Sequence, residues 1–372
     1  MQTVRPNTRL GEILQWCEQQ NASDLHVQTG KALVIRVEGK LQRVPENRFA
    51  PFAEEKIYES LAETFSPEIC DRIRTRHETD LSFYHGSQRY RANFSKEKGS
   101  QSFSFRIVPQ QRQTLQDLSL PLSLADMVTE PRGLILATGP TGQGKSTTVR
   151  ALIQHINETV ALRIITIEDP IEYVFADALS QIEQREVGID TESFANGIRN
   201  AMRQDPNIIF VGEMRDRESI YAAMQAAETG HLVLTTLHAD SVPQAIGRIR
   251  EFYPSDEQNN ISSLLGRNLN AIISQRLIPS ASGKRVPCVE IMKKDKGVQD
   301  AVQTNNLHLL AGIIEAGVGQ GMHSFDQYLV ELLAAGIISE ETARHYAVNK
   351  HRLDMVLRGI MANMPILKLD ER

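Results

Sequence analysis

Residues 133–148 read Gly133-Leu134-Ile135-Leu136-Ala137-Thr138-Gly139-Pro140-Thr141-Gly142-Gln143-Gly144-Lys145-Ser146-Thr147-Thr148, and the rest of the chain is interpreted outward from them. An apolar stretch of strand character runs into a glycine-rich loop, and a helical pattern follows. Gly139 to Ser146 satisfies GxxxxGK[ST] in the strand, loop, helix setting that gives this pattern its chemistry. The glycines let backbone N–H groups turn inward around an anion, and the helix N-terminus adds positive potential. Lys145 would reach the outer phosphates of a nucleoside triphosphate and Ser146 would ligate Mg²⁺. The expected ligands are therefore ATP and Mg²⁺, with Gly139, Pro140, Thr141, Gly142, Gln143, Gly144, Lys145, Ser146 and Thr147 as the nucleotide-binding residues.

After this loop the pattern alternates. RIITIED at 163–169, a helix near 191–203, NIIFVGE at 207–213, a helix at 216–229 and HLVLTTLH at 231–238 predict an α/β layout with a mostly parallel sheet and crossover helices. Beyond Ile291 the pattern is helical, with Phe325, Leu329, Leu332 and Leu333 on one face and Gly336 as a stop. Before the loop, Leu10, Ile13, Leu14 and Cys17 predict a helix over 8–19 with Asn7 or Thr8 as its cap. Strands follow at 24–29, 33–38 and 41–44, with Gly39-Lys40 as a hairpin turn, then helices within 53–76 and strands at 79–85, 89–95 and 101–108. This is an α+β domain. Residues 109–122, PQQRQTLQDLSLPL, have linker composition. The predicted division is an N-terminal α+β domain at 1–108, a linker at 109–122, a P-loop domain at 123–292 and a helical region at 293–372.

Composition narrows the function classes. The chain has 372 residues, with 41 Lys and Arg against 46 Asp and Glu, a net charge of -5. Neither that balance nor any local basic strip suits a phosphate backbone, so no nucleic-acid partner is expected. The three cysteines, Cys17, Cys70 and Cys288, are far apart and form neither a disulfide framework nor a zinc pattern. The first residues lack a signal-peptide core and no stretch approaches a membrane span, so the expected location is cytoplasmic.

A second apolar strand, Ile208 to Val211, ends in Gly212-Glu213, where a P-loop ATPase needs an acid near the metal and the attacking water. A strand ending in a carboxylate is common, and position alone does not give Glu213 this role. Four boxes together do more. Besides the phosphate loop, the chain has Thr166-Ile167-Glu168-Asp169-Pro170-Ile171-Glu172, then Val211-Gly212-Glu213-Met214-Arg215-Asp216, then Thr229-Gly230-His231-Leu232-Val233-Leu234-Thr235-Thr236-Leu237-His238-Ala239. In this order they resemble the secretion ATPases of the type II, type IV pilus and type IV secretion systems, with their aspartate box, Gly-Glu form of Walker B and histidine box. Ala22-Ser23-Asp24-Leu25-His26 and the ISQRL segment within Ile272 to Leu277 extend the resemblance over nearly the whole chain.

The resemblance implies an N-terminal domain of PAS-like kind followed by a RecA-like ATPase domain. It implies Glu172 as general base, Glu213 as organiser of Mg²⁺ and water, and His231 and His238 as sensors of the γ-phosphate. A histidine at a strand end is also an ordinary packing residue. Arg91 and Arg106, on a strand pair, match the family's arginines that bend over the nucleotide. Lys98 stands where retraction ATPases carry an arginine, and a solvated basic hairpin is the other reading.

The short N-terminus and the absence of a four-cysteine insertion resemble the pilus-retraction group, the PilT/PilU family. Gly297 to Thr304 departs from the PilT-type segment, and the ending from Gly321 looks more like the PilU type, which is favoured. Membership implies a homo-hexameric ring, peripherally attached to the inner-membrane pilus machine. It also implies a membrane platform protein as partner, possible work beside a paralogous retraction ATPase, and domain rotation as the source of force. An ATPase of a type IV secretion or conjugation system, a nucleic-acid motor and an accessory nucleotide-binding scaffold are the competing readings.

Overall fold

The computed structural model describes residues 8–110 and 112–357. The chain divides between residues 111 and 112 into two compact units, with Glu172–Val174 grouped with the first. Of the two caps considered for the first helix, Asn7 lies outside the described residues, as does the part of the expected helical region beyond residue 357.

The first unit comprises α1 (Arg9–Gln19), β1 (Ala22–Gln28), β2 (Val34–Val37), β3 (Lys40–Arg43), α2 (Glu54–Thr64), α3 (Pro67–Thr75), β4 (Glu78–His85), β5 (Gln88–Glu97) and β6 (Ser100–Ile107). Its six strands form one sheet in the order β3-β2-β1-β6-β5-β4, antiparallel throughout. Thr8 caps α1, its hydroxyl accepting from Gly11 N at 3.1 Å. The α1 stripe of Leu10, Ile13, Leu14 and Cys17 is buried against the sheet as the helical spacing predicts. Phe65, Phe83, Phe94 and Phe105 meet edge to face in the same core. The hairpin turn falls one residue earlier than expected. Glu38 and Gly39 both take positive φ, at 48° and 79°, and Lys40 is already paired with Val37.

The second unit carries β7 (Gly133–Thr138), α4 (Lys145–Thr159), β8 (Arg163–Glu168), β9 (Gln181–Glu186), α5 (Phe194–Ala201), β10 (Ile208–Val211), α6 (Arg217–Glu228), β11 (Leu232–Leu237), α7 (Val242–Glu251) and α8 (Gln258–Asn268). It continues with β12 (Leu269–Pro279), β13 (Arg285–Lys293), α9 (Lys296–Gln303), α10 (Leu310–Ala316), α11 (Phe325–Ala334), α12 (Glu340–Tyr346) and α13 (Lys350–Leu357). Seven strands form a sheet in the order β13-β12-β7-β11-β10-β8-β9. All neighbours are parallel except β12 and β13. Every residue of β7 and β11 is buried, the mark of strands covered on both faces. Helices α9 and α10 share this core through Val298, Ala301, Val302, Leu310 and Ile314. Helix α11 begins with a reciprocal capping box between Ser324 and Gln327.

The stretch 109–122 is not a free linker along its length. Leu115 and Leu120 are buried, Leu120 N donates to Leu115 O, and a 3₁₀ helix starts at Leu122. Leu115 and Leu120 dock, while Leu122 is exposed. Nor does the helical character set in at Ile291, because β13 runs on to Lys293.

Candidate nucleotide-binding site

In a parallel sheet all the carboxyl ends lie along one edge, and the loops leaving them converge. Here β7, β11, β10 and β8 lead into Gly139, His238, Glu213 and Asp169 respectively. The Gly139–Gly144 loop is packed against β12. A Cβ on Gly139, at φ +149°, would lie 2.4 Å from the Gln275 carbonyl oxygen, and one on Gly144, at φ +82°, would lie 2.8 Å from Gln275 Nε2. Gly144 is also the left-handed N-cap residue of α4, which has no side-chain cap. The orphan N–H groups of that first turn are thus left for an anionic ligand.

Lys145 is largely buried at the start of α4. Its Nζ donates to Gly139 O at 2.8 Å, to Pro140 O at 2.9 Å and to His238 Nδ1 at 3.2 Å. An ammonium can only donate, so Nδ1 accepts and the ring proton sits on Nε2. Nε2 in turn lies 3.0 Å from Glu213 Oε1. Glu213 Oε2 accepts from Arg215 Nε at 2.8 Å, and Arg215 Nη1 donates to Asp169 Oδ2 at 3.0 Å. A continuous chain of charges and hydrogen bonds, Lys145, His238, Glu213, Arg215, Asp169, therefore crosses the carboxyl ends of four strands. Burial draws the Lys145 pKa down, against the pull of the Glu213 charge. The Glu213 hydrogen bond, reinforced by Asp169, raises the Arg215 pKa further and keeps the guanidinium charged.

The other expected site residues are placed differently. Ser146 and Thr147 open α4 beside Lys145. His231 precedes β11 at its amino end, where its Nδ1 meets Ala226 O at 3.0 Å. Seven residues of extended chain, about 23 Å, separate it from His238. The structure does not bring His231 to the phosphate loop, because a strand carries its two ends to opposite edges of the sheet. In the first unit, Arg106 Nε donates to Asp24 Oδ1 at 2.8 Å. Burial works against ionised Asp24, but hydrogen bonds from Arg106 and Ser23 hold its carboxyl below the ordinary value. Arg91 Nη1 lies 4.0 Å from Glu172 Oε1.

Asp169 and Arg215 stand inside the sequence boxes, but nothing in the spacing of those boxes gives either a part. Gln275 and Thr148 also escape sequence reasoning; both are buried, with Thr148 Oγ1 donating to Gln275 Oε1 at 2.6 Å. Gln275 stands inside the ISQRL segment and Thr148 follows the phosphate-loop motif, but Ser274 and Arg276 flank the one and Thr147 and Val149 the other, so no local pattern sets either apart. A cavity of about 910 Å³ opens beside Gly144, Thr147 and Thr148, with Gln275 and Leu277 in its wall. A second hollow, about 500 Å³, is lined by Pro140, Thr141, His238 and Arg248.

The family described as "Type II/IV secretion system protein" matches residues 7–315. The chain belongs to that family. Among type II/IV secretion system proteins, it is 37% identical over 338 residues to the type IV pilus retractation ATPase PilT of Pseudomonas aeruginosa, covering 90% of this chain and 97% of that one. It is 32% identical over 349 residues to the type IV pilus ATPase PilU of the same organism, covering 93% and 91%. A crystal structure of the pilus retraction motor PilT with bound ADP superposes with a TM-score of 0.83 at 35% identity, covering 92% of this chain and 98% of the other. The fold class is accordingly an N-terminal α+β domain followed by a RecA-like P-loop domain with a helical C-terminal region. Among the described residues no helix is long and apolar enough to cross a membrane.

Proposed function

We propose that this chain is an ATP-hydrolysing motor of type IV pilus retraction, working as a homo-hexameric ring with MgATP as substrate and a membrane platform protein of the pilus machine as partner. Lys145, seated in the Gly139–Gly144 loop with His238 and Glu213 against it, is the observation that carries the reading. Similarity to the PilT and PilU proteins supports it, with identity higher to PilT at 37% than to PilU at 32%. The N–H groups of the loop and α4 would receive the β-phosphate, and Lys145 would exchange carbonyl oxygens for phosphate oxygens.

The Ser146 hydroxyl and the Glu213 carboxylate are hard oxygen donors of the kind that suits Mg²⁺ held jointly with phosphates. Mg²⁺ would neutralise charge on the phosphates. Glu172 is assigned as general base toward the attacking water. Arg91 and Arg106 are candidates to neutralise the transferring phosphoryl group, and Arg106 would first have to leave Asp24.

The test is steady-state ATP hydrolysis by the wild type beside Lys145→Ala and Glu172→Gln, with the oligomeric state recorded in the same samples. Turnover by a hexamer is expected, with each variant slower by about a hundredfold or more. An inert wild type that still binds ATP would favour the scaffold reading, and stimulation by DNA the nucleic-acid motor.

A further inference from the structure

Gln143 lies in the middle of the phosphate loop, yet its side chain is spent on β12. Its Oε1 accepts from Leu277 N at 2.6 Å. Its own carbonyl oxygen accepts from Gln275 Nε2 at 2.7 Å, and Gln275 Oε1 accepts from Thr148 Oγ1 at 2.6 Å. The three bonds close a circuit from the loop to the strand, along one buried side chain, and back to Thr148 in the first turn of α4.

Sheet register explains why Leu277 needs this partner. Strand β12 pairs with β7 from Leu269 to Ser274, where β7 reaches Thr138 and the chain turns away to form the loop. From Gln275 to Pro279, β12 continues paired with β13 alone. Its other edge faces the space that β7 would have filled. A backbone N–H left unpaired at such an edge costs free energy, and the Gln143 amide oxygen takes the place of the missing strand. A shorter side chain, one carbon from the backbone, would not span from the loop to that N–H.

We infer that Gln143 is a positioning residue, a latch that clamps the phosphate loop in its anion-receiving shape by substituting for β7 along the edge of β12. This rests on the ATPase reading given above. Leu277 and Gln275 also line the 910 Å³ cavity beside Gly144 and Thr147, so the latch ties the wall of that cavity to the loop. Nucleotide that enters then meets a loop already fixed, and the latch acts on binding rather than on the chemical step.

The experiment compares wild type, Gln143→Met and Gln143→Ala in the full-length chain. Each is measured for KM and kcat with MgATP and for hydrogen exchange of a peptide containing Leu277. Methionine keeps the length and apolar stem but loses the acceptor; alanine guards against a packing artefact of the longer side chain. The expected result is a KM raised about five- to tenfold in both variants. Expected with it are a kcat within about twofold of wild type and faster exchange at Leu277. Unchanged KM and unchanged exchange in an active wild-type background would overturn the latch and leave the ATPase reading intact. A fall confined to kcat would also overturn it. A wild-type chain that neither binds nor hydrolyses ATP removes both.

Discussion

At the scale of single residues, the tightest constraint lies at Gly139. Its φ is positive, and a methyl group placed there would come within 2.4 Å of the Gln275 carbonyl oxygen, a backbone atom that cannot rotate away. Gly139→Ala is expected to lower the melting temperature, with a cost of about 1–3 kcal/mol from strained backbone, and to weaken ATP binding; calorimetry and nucleotide titration check the two halves. His323 offers a pH dependence. It is almost wholly buried, stacked on Tyr328 with centroids 4.9 Å apart. Burial holds its pKa at about 4, against the pull of the Val289 backbone that favours the charged form. An unfolded histidine titrates near 6.5, so between about pH 6.5 and 4 the unfolded state binds more protons, and stability falls as the pH falls through that window. His323→Phe is expected to flatten the loss, which urea unfolding at about pH 7, 6 and 5 would reveal; parallel curves for wild type and variant would contradict it.

At the scale of elements, Asp216 links helix stability to site geometry. It caps α6, its carboxylate accepting from Ser219 N at 2.7 Å, and it directly follows Arg215, which bridges Glu213 and Asp169. Asp216→Ala should cost about 1 kcal/mol of stability, and it should also reduce ATP turnover by loosening the segment that holds Arg215. Preserved turnover at reduced stability would separate the two effects. The same elements show what is legible in sequence. Strands β7, β8, β10 and β11 are apolar-rich, with threonines the commonest interruption, because both faces are covered, and α1 has one apolar stripe because only one face is. Strand β9 escapes such reading because QIEQRE sits at the sheet edge, where one side is open and polar residues serve as well as apolar ones. The antiparallel β12–β13 hairpin shows in the sequence only as a short resemblance, since its pairing depends on distant residues. In the site, the loop is readable from spacing, whereas the Lys145, His238, Glu213, Arg215, Asp169 chain joins four separate loops that no local pattern connects. Sequence proximity groups His231 with His238, and strand direction separates them.

At the scale of the whole molecule, the ring proposal makes a collective prediction. Mixing wild-type chains with equal amounts of Lys145→Ala chains should cut ATP turnover to well below half if neighbouring subunits depend on one another, whereas independent subunits would give a strictly proportional fall. Subunit exchange before assay, monitored by labelled chains, makes the comparison valid. The way β12 outruns β7 also has a mechanical side. The tip at residues 280–284 borders the cavity beside the phosphate loop; the hairpin is paired with β13 along its length, pinned by Leu277 near its root, and tied at its tip by Ala281 N donating to Ile337 O at 2.9 Å. Such a hairpin is held at root and tip, so a tilt that begins at the loop is carried along it to the segment after α11. A spectroscopic label at the exposed Ser282 would therefore register whether loop movements travel the length of the hairpin, from a position outside the charged chain at the site.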